Sequence, residues 1–115
     1  MAHVIEEYGF GYIKIDGKTY SSDVIIYPDK IESSWWRKEG HKLLLDDLPD
    51  IESYKPDVFL VGTGYHGMMD VSEEVIDYVK KLGIEIIIEN TRVAWKKYNE
   101  LAKDKKVIAA FHLTC

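Results

Sequence analysis

Gly62, Gly64 and Gly67 stand in a G-x-G-x-x-G spacing directly after the apolar run Val58 to Val61, with Thr63 and His66 between them. Glycines at a strand end let the chain turn sharply and bring bare N–H groups close to an anion. The pattern nominates Gly62, Thr63, Gly64, His66 and Gly67 as a ligand-binding turn, in its fullest form a dinucleotide site. Glu89, 22 residues past Gly67 at the end of the next apolar run, falls where a ribose-binding acid is expected. Two features oppose that form. Met68 to Val71 separate Gly67 from the first helix cap, Ser72, so a pyrophosphate misses the helix N-terminus. Only one β-α-β-α-β half is present, so NAD(P) or FAD binding is not expected. A small anion held by turn amides, or a turn that is purely structural, remains.

No other residues assemble a reaction. Ser21, Ser22, Ser33, Ser34 and Ser72 lack a nucleophile-elbow context, and Asp46, Asp47, Glu73 and Glu74 read as helix-start carboxylates. His66 beside Thr63 suggests an acid/base pair by proximity alone. The single cysteine, Cys115, excludes an internal disulfide and zinc sites built on paired cysteines. His3, His41, His66 and His112 are far apart in sequence, so neither a metal nor another cofactor is expected. The aromatic residues are more suggestive. Tyr8, Tyr12, Tyr20, Tyr27, Trp35 and Trp36 concentrate in the first half, and an exposed Trp35-Trp36 pair would suit a protein interface.

With 115 residues and 46% hydrophobic content, the chain is expected to be a single domain, 1–115, with one core. The net charge of −5 argues against nucleic-acid binding, which needs a positive surface. No apolar run reaches the ~20 residues that span a bilayer, and no targeting segment is legible, so a cytoplasmic protein is expected. The charge is uneven: residues 1–79 carry 16 acids and 7 bases, residues 80–115 carry 4 acids and 8 bases. Lys80, Lys81, Lys96 and Lys97 are thus candidates for a basic strip facing an acidic partner. Absent glutamine with abundant Lys, Glu and Ile fits a thermophilic source.

The pattern of elements changes near Tyr54. Before it, His3 to Tyr8 and Phe10 to Ile15 read as strands broken at Gly9. Asp16-Gly17 signals a hairpin with a return strand from Tyr20 to Tyr27, and Ile31 to Arg37 reads as a further strand. Asp46 to Pro49 opens a helix of about two turns, limited by Pro56. After Lys55, strands near Val58, Ile86 and Ile108 alternate with helices capped by Ser72 and Thr91. This order predicts the α/β class: a layered domain with a mixed central sheet, a parallel β-α-β-α-β unit, and an attached N-terminal hairpin or small sheet.

The segments Pro56-Asp57, Gly62-Thr63-Gly64, Gly83-Ile84, Asn90-Thr91, Ala94, Tyr98-Asn99, Leu101 and the closing Val107 to Ala110 resemble a known family. It is the small α/β domain shared by mitochondrial respiratory complex I assembly factor three and the adipogenesis-associated domain protein. The resemblance covers nearly the whole chain and is to the free-standing archaeal form. It implies the same layered fold, no established enzymatic activity, and action through other proteins. It marks Gly62, Thr63, Gly64, Thr91, Ala94, Tyr98, Asn99 and Leu101; Lys105-Lys106 depart from it, where relatives often carry arginine. Gly64 and Thr91 lie just past the carboxyl ends of strands, where ligand crevices form if those strands are neighbours. The expectation is a non-enzymatic protein-interaction or assembly module, a monomer or weak homodimer. The alternative is a small-molecule or anion binder, or an enzyme, using the Gly62–Gly67 turn with Thr91 and Asn99.

Overall fold

The computed structural model describes residues 2–115. Three short antiparallel strands open the chain: β1 (Ile5–Gly9), β2 (Tyr12–Ile15) and β3 (Lys18–Tyr20). The β2–β3 turn places Asp16 and Gly17 at φ 50° and 82°, the left-handed pair that a tight primed hairpin requires. The β1–β2 break falls at Phe10-Gly11 rather than at Gly9, which still pairs with Tyr12.

The expected return strand from Tyr20 to Tyr27 is two strands in two sheets. Lys18–Tyr20 pairs with β2, whereas β4 (Val24–Ile26) leaves to pair antiparallel with β10 (Val107–His112). The reason is burial. Val24, Ile25 and Ile26 are apolar on both faces and fully enclosed, which an outer hairpin strand cannot provide. β5 (Ile31–Ser33) returns along β4 after the turn at Pro28. It stops short of the expected Arg37 because Ser34 turns left-handed at φ 62° and the Trp35 N–H donates to Asp23 O at 2.9 Å.

The central sheet has the order β5-β4-β10-β7-β9, where β7 is Val58–Thr63 and β9 is Glu85–Glu89. β10, β7 and β9 are parallel and β4 and β5 antiparallel, so the sheet is mixed as the sequence predicts. A two-residue parallel pair, β6 (Lys42–Leu43) with β8 (Asp70–Val71), was not expected from sequence. The helix expected from Asp46 is divided around Pro49 into a 3-10 turn (Leu45–Asp47) and one α-turn, α1 (Ile51–Tyr54), capped by the Asp50 side chain.

α2 (Glu73–Lys81) and α3 (Thr91–Leu101) cover opposite faces of the sheet. Val75 and Val79 of α2 pack with Phe59, Val61, Ile108 and Ala110, together with Ile51, Trp35 and Leu43. Ala94 and Tyr98 of α3 pack with Leu60, Ala109 and Phe111, and with Ile5, Ile13 and Ile15 of the small sheet. The alternation of contacts along β7 and β10 is the period of two expected of a strand sandwiched between layers. Ser72 caps α2 by accepting the Val75 N–H at 3.3 Å. For α3 the cap is Asn90, accepting from Val93 N at 3.2 Å; Thr91, expected as cap, is the first helical residue. Among the described residues no helix is long and apolar enough to cross a membrane.

Candidate functional site at the carboxyl end of the parallel strands

β7 and β9 are neighbours, so the glycine turn and the start of α3 meet at one end of the sheet. Gly62 is required by close approach: a Cβ there would lie 2.7 Å from the Phe111 ring and 2.8 Å from Thr91 Oγ1. Gly64 has φ +106°, and a Cβ would lie 2.6 Å from the Cys115 carbonyl carbon. The Thr114 and Cys115 carbonyls occupy the place that an anion would take against the Tyr65 and Met68 amides. Gly64 N–H donates to Thr91 Oγ1 at 2.8 Å. Tyr65 N–H donates to Thr114 O at 2.7 Å, Met68 N–H to Cys115 O at 2.9 Å, Gly67 N–H to Gly64 O at 3.2 Å, and Met69 N–H to Thr63 O at 3.1 Å.

The hydroxyls are engaged too. Thr63 Oγ1 donates to Glu89 O at 3.1 Å, tying β7 to β9. Thr91 Oγ1 donates to His112 O at 2.7 Å while accepting from Gly64, so one buried hydroxyl joins α3, β7 and β10. Asn99 is elsewhere: eight residues along α3, about 12 Å of helix, its amide pairs with Ile5 N and O at 2.9 and 2.7 Å. It closes β1 onto α3 like an extra strand residue and does not join Thr63, His66 and Thr91.

His66 is exposed and belongs to an aromatic rim. Its ring lies 5.1 Å from Tyr65 and 6.1 Å from Phe10, and Phe10 stands edge-on to Tyr65 at 5.9 Å. Arg92 lies over the Tyr65 ring, 4.9 Å from its centroid. Phe10 and Met68 remain 52% and 57% exposed, large values for such side chains. Trp36, at the same end of the sheet, is 77% exposed. Its neighbour Trp35 is buried, donating Nε1–H to Asp47 O at 3.0 Å and carrying Arg37 on its ring. The sequence pair therefore separates into one core residue and one surface residue.

The four candidate lysines do not gather. Lys80 and Lys81 end α2, whereas Lys96 and Lys97 ride on α3 across the sheet; Lys97 pairs with Glu89 at 2.7 Å and Lys96 lies over Trp95. Clefts of about 540 and 650 Å³ flank Ile51 and Glu52 on α1; neither includes a residue of the glycine turn.

A cluster that sequence reading missed sits beside the turn. Asp23 Oδ2 accepts from Arg37 Nη2 at 2.9 Å and approaches His112 Nδ1 at 2.8 Å, and Asp23 Oδ1 accepts the Leu113 N–H at 2.8 Å. Arg37 Nη2 also donates to Gly40 O at 2.8 Å. Its two protons are then spent, so its 3.0 Å approach to His112 Nδ1 is not a donation; counting protons puts a hydrogen on Nδ1, donated to Asp23. Burial would raise the Asp23 carboxyl, but hydrogen bonds from His112, Leu113 and Arg37 hold it below the ordinary value of 3.8. Asp23, Arg37 and His112 are 75 to 89 residues apart across the His112 pairings, and no local motif could have joined them.

The family model described as "Protein of unknown function (DUF498/DUF598)" matches residues 5–112. This chain belongs to that family. A conserved hypothetical protein from Pyrococcus horikoshii is 36% identical with a TM-score of 0.83, over 96% of this chain and 98% of that one. A Bartonella henselae structure titled an outer membrane protein is 23% identical with a TM-score of 0.83, over 99% and 97% of the two chains. A Bordetella pertussis Mth938-like domain is 18% identical with a TM-score of 0.60, over 96% and 85%. The last two show the fold alone. Membership agrees with the resemblance carried by Gly62-Thr63-Gly64 and the Thr91–Leu101 segment.

Proposed function

We propose that this DUF498/DUF598 domain is a non-enzymatic protein-binding module whose contact surface is the aromatic rim at the carboxyl end of the parallel strands. The observation that carries the reading is the exposed Phe10 and His66 packed about Tyr65, with Met68 exposed on the same turn and Trp36 exposed at the same end of the sheet. Large rings fixed on a rigid turn are the side chains that supply most binding energy at interfaces. The glycines then serve the surface indirectly, by fixing the turn that presents His66 and Met68. The reading in which turn amides hold an anion has less support, because the amides of Gly64, Tyr65, Gly67, Met68 and Met69 donate internally.

Photo-crosslinking from position 68 in source cells, with the protein products identified, tests the proposal. A defined crosslinked protein that Phe10→Ser and Trp36→Ala both diminish supports it. Crosslinks that are diffuse, or equal in variants shown to be folded, overturn it.

A further inference from the structure

Arg37 and His112 are each more than nine-tenths buried, at 6% and 5% exposure, yet neither exhausts its hydrogen-bonding capacity on the protein. Arg37 Nε and Nη1 and His112 Nε2 are buried and have no protein partner. Buried polar groups in folded proteins are paired in the great majority of cases, and an unpaired charged donor is the costliest exception. Because Arg37 Nη2 and His112 Nδ1 are 3.0 Å apart, Nη1 and Nε2 each lie one guanidinium or one ring width further on. Both are within reach of a species of a few heavy atoms.

Charge decides what that species is. Asp23 and Arg37 neutralise each other, and with a proton on Nδ1 alone the imidazole adds nothing. A second proton on Nε2 makes the cluster a single net positive charge with donors on both residues, which an anion compensates. Asp23 cannot do so, since its two oxygens already accept from Arg37, His112 and Leu113. Trp35 covers the guanidinium face at 4.5 Å, and the exposed His41 stands edge-on to His112 at 5.9 Å. Gly40 and His41 are the exposed residues beside the pair. The charged and titratable groups against the ring are Asp23 before β4 and Arg37 and His41 on the loop.

We infer that the Asp23–Arg37–His112 cluster is a site for a small monovalent anion, a carboxylate or a halide, taken up together with a proton on His112. Arg37 supplies Nη1–H or Nε–H and His112 supplies Nε2–H; Asp23 holds both donors in place. The site is separate from the glycine-turn amides and is reached from the other side of β10.

The test is a titration of the wild-type protein with sodium formate, acetate and chloride, at constant ionic strength balanced by a bulky organic sulfonate. The His112 imidazole nitrogen resonances are followed from about pH 5 to 8, the range over which histidines change charge. The expected result is a saturable shift whose affinity falls about tenfold per pH unit on the alkaline side, the slope of one proton taken up per anion. Response to formate and acetate assigns a carboxylate; response to chloride alone assigns a halide. Arg37→Gln should abolish the shift, and Arg37→Lys, which keeps the charge without the second nitrogen, should weaken it. No saturable shift, a shift that does not depend on pH, or an equal shift in either variant overturns the inference. Should Arg37→Gln fail to fold, the wild-type pH slope and Arg37→Lys decide.

Discussion

The glycine turn and the Ser34–His41 loop face each other across the end of β10, and they distribute hydrogen bonds in opposite ways. In the turn, five amides and two threonine hydroxyls all donate within the chain. At the loop, Arg37 and its β10 neighbour His112 together keep three buried nitrogens without a protein partner. The turn has the more conspicuous sequence and the loop has the spare binding capacity. Glycines report where other atoms come close, and here the close neighbours are Phe111 and Thr91 at Gly62 and the Thr114–Cys115 backbone at Gly64.

The sharpest break of this comparison is at Asp23. Asp23→Ala strands a buried guanidinium, and loss of one partner from a buried pair costs about 3–5 kcal/mol, to be read from urea unfolding. A loss below about 1 kcal/mol would show that the cluster is not electrostatically tight. Gly64→Ala comes next: at φ +106° with a backbone carbonyl 2.6 Å from the new carbon, strain and crowding together should cost about 3 kcal/mol. Thr91→Val removes a shared hydroxyl and leaves Gly64 N–H and His112 O buried and unpaired, for about 2 kcal/mol. If it is neutral, the hydroxyl is not the pin it appears geometrically.

The cluster also sets an acid limit. Asp23 has a folded value below its ordinary 3.8, so the unfolded chain binds the proton more readily. Its contribution is fully present above the ordinary value and is lost as pH falls through the lower folded one. Stability of wild type minus Asp23→Asn should therefore be flat above about pH 5 and shrink below 3.8. The smallest effects on stability belong to the rim: Phe10→Ser, Met68→Ser and Trp36→Ala should each stay within about 0.5 kcal/mol. Binding of a crosslinked partner should nonetheless weaken by about 30-fold at an anchor position, measured by calorimetry on the purified pair.

The parallel unit was legible because its signals are local. Val58 to Val61 is an uninterrupted apolar run, Ser72 caps a helix with a clear stripe, and Gly83 ends it. The first half was harder for a physical reason: β4 and β5 are only three residues each, and whether Val24 pairs with β2 or with β10 is decided 87 residues away, at Phe111. Trp35 and Trp36 are alike as residues, and it is Trp35 that follows the left-handed Ser34 and bonds to Asp23 O and Asp47 O in the core. The glycines marked the turn after β7, but the Tyr65 and Met68 amides find their acceptors on Thr114 and Cys115, beyond any local pattern. Asp23, Arg37 and His112 each look ordinary alone; their grouping exists only after the sheet closes.

The position of β10 between β4 and β7 governs how the molecule can fold. Two sub-sheets, β5-β4 and β7-β9, are separated until one strand slides between them, hydrogen-bonding parallel on one side and antiparallel on the other. Before that, both β4 and β7 are apolar edges, the kind that pair with other chains. The closing step spans a long sequence separation, which places refolding on the slow, millisecond-to-second side. Ile108→Val should slow refolding in stopped-flow traces if β10 insertion is the barrier; a change confined to the unfolding limb would put the barrier earlier.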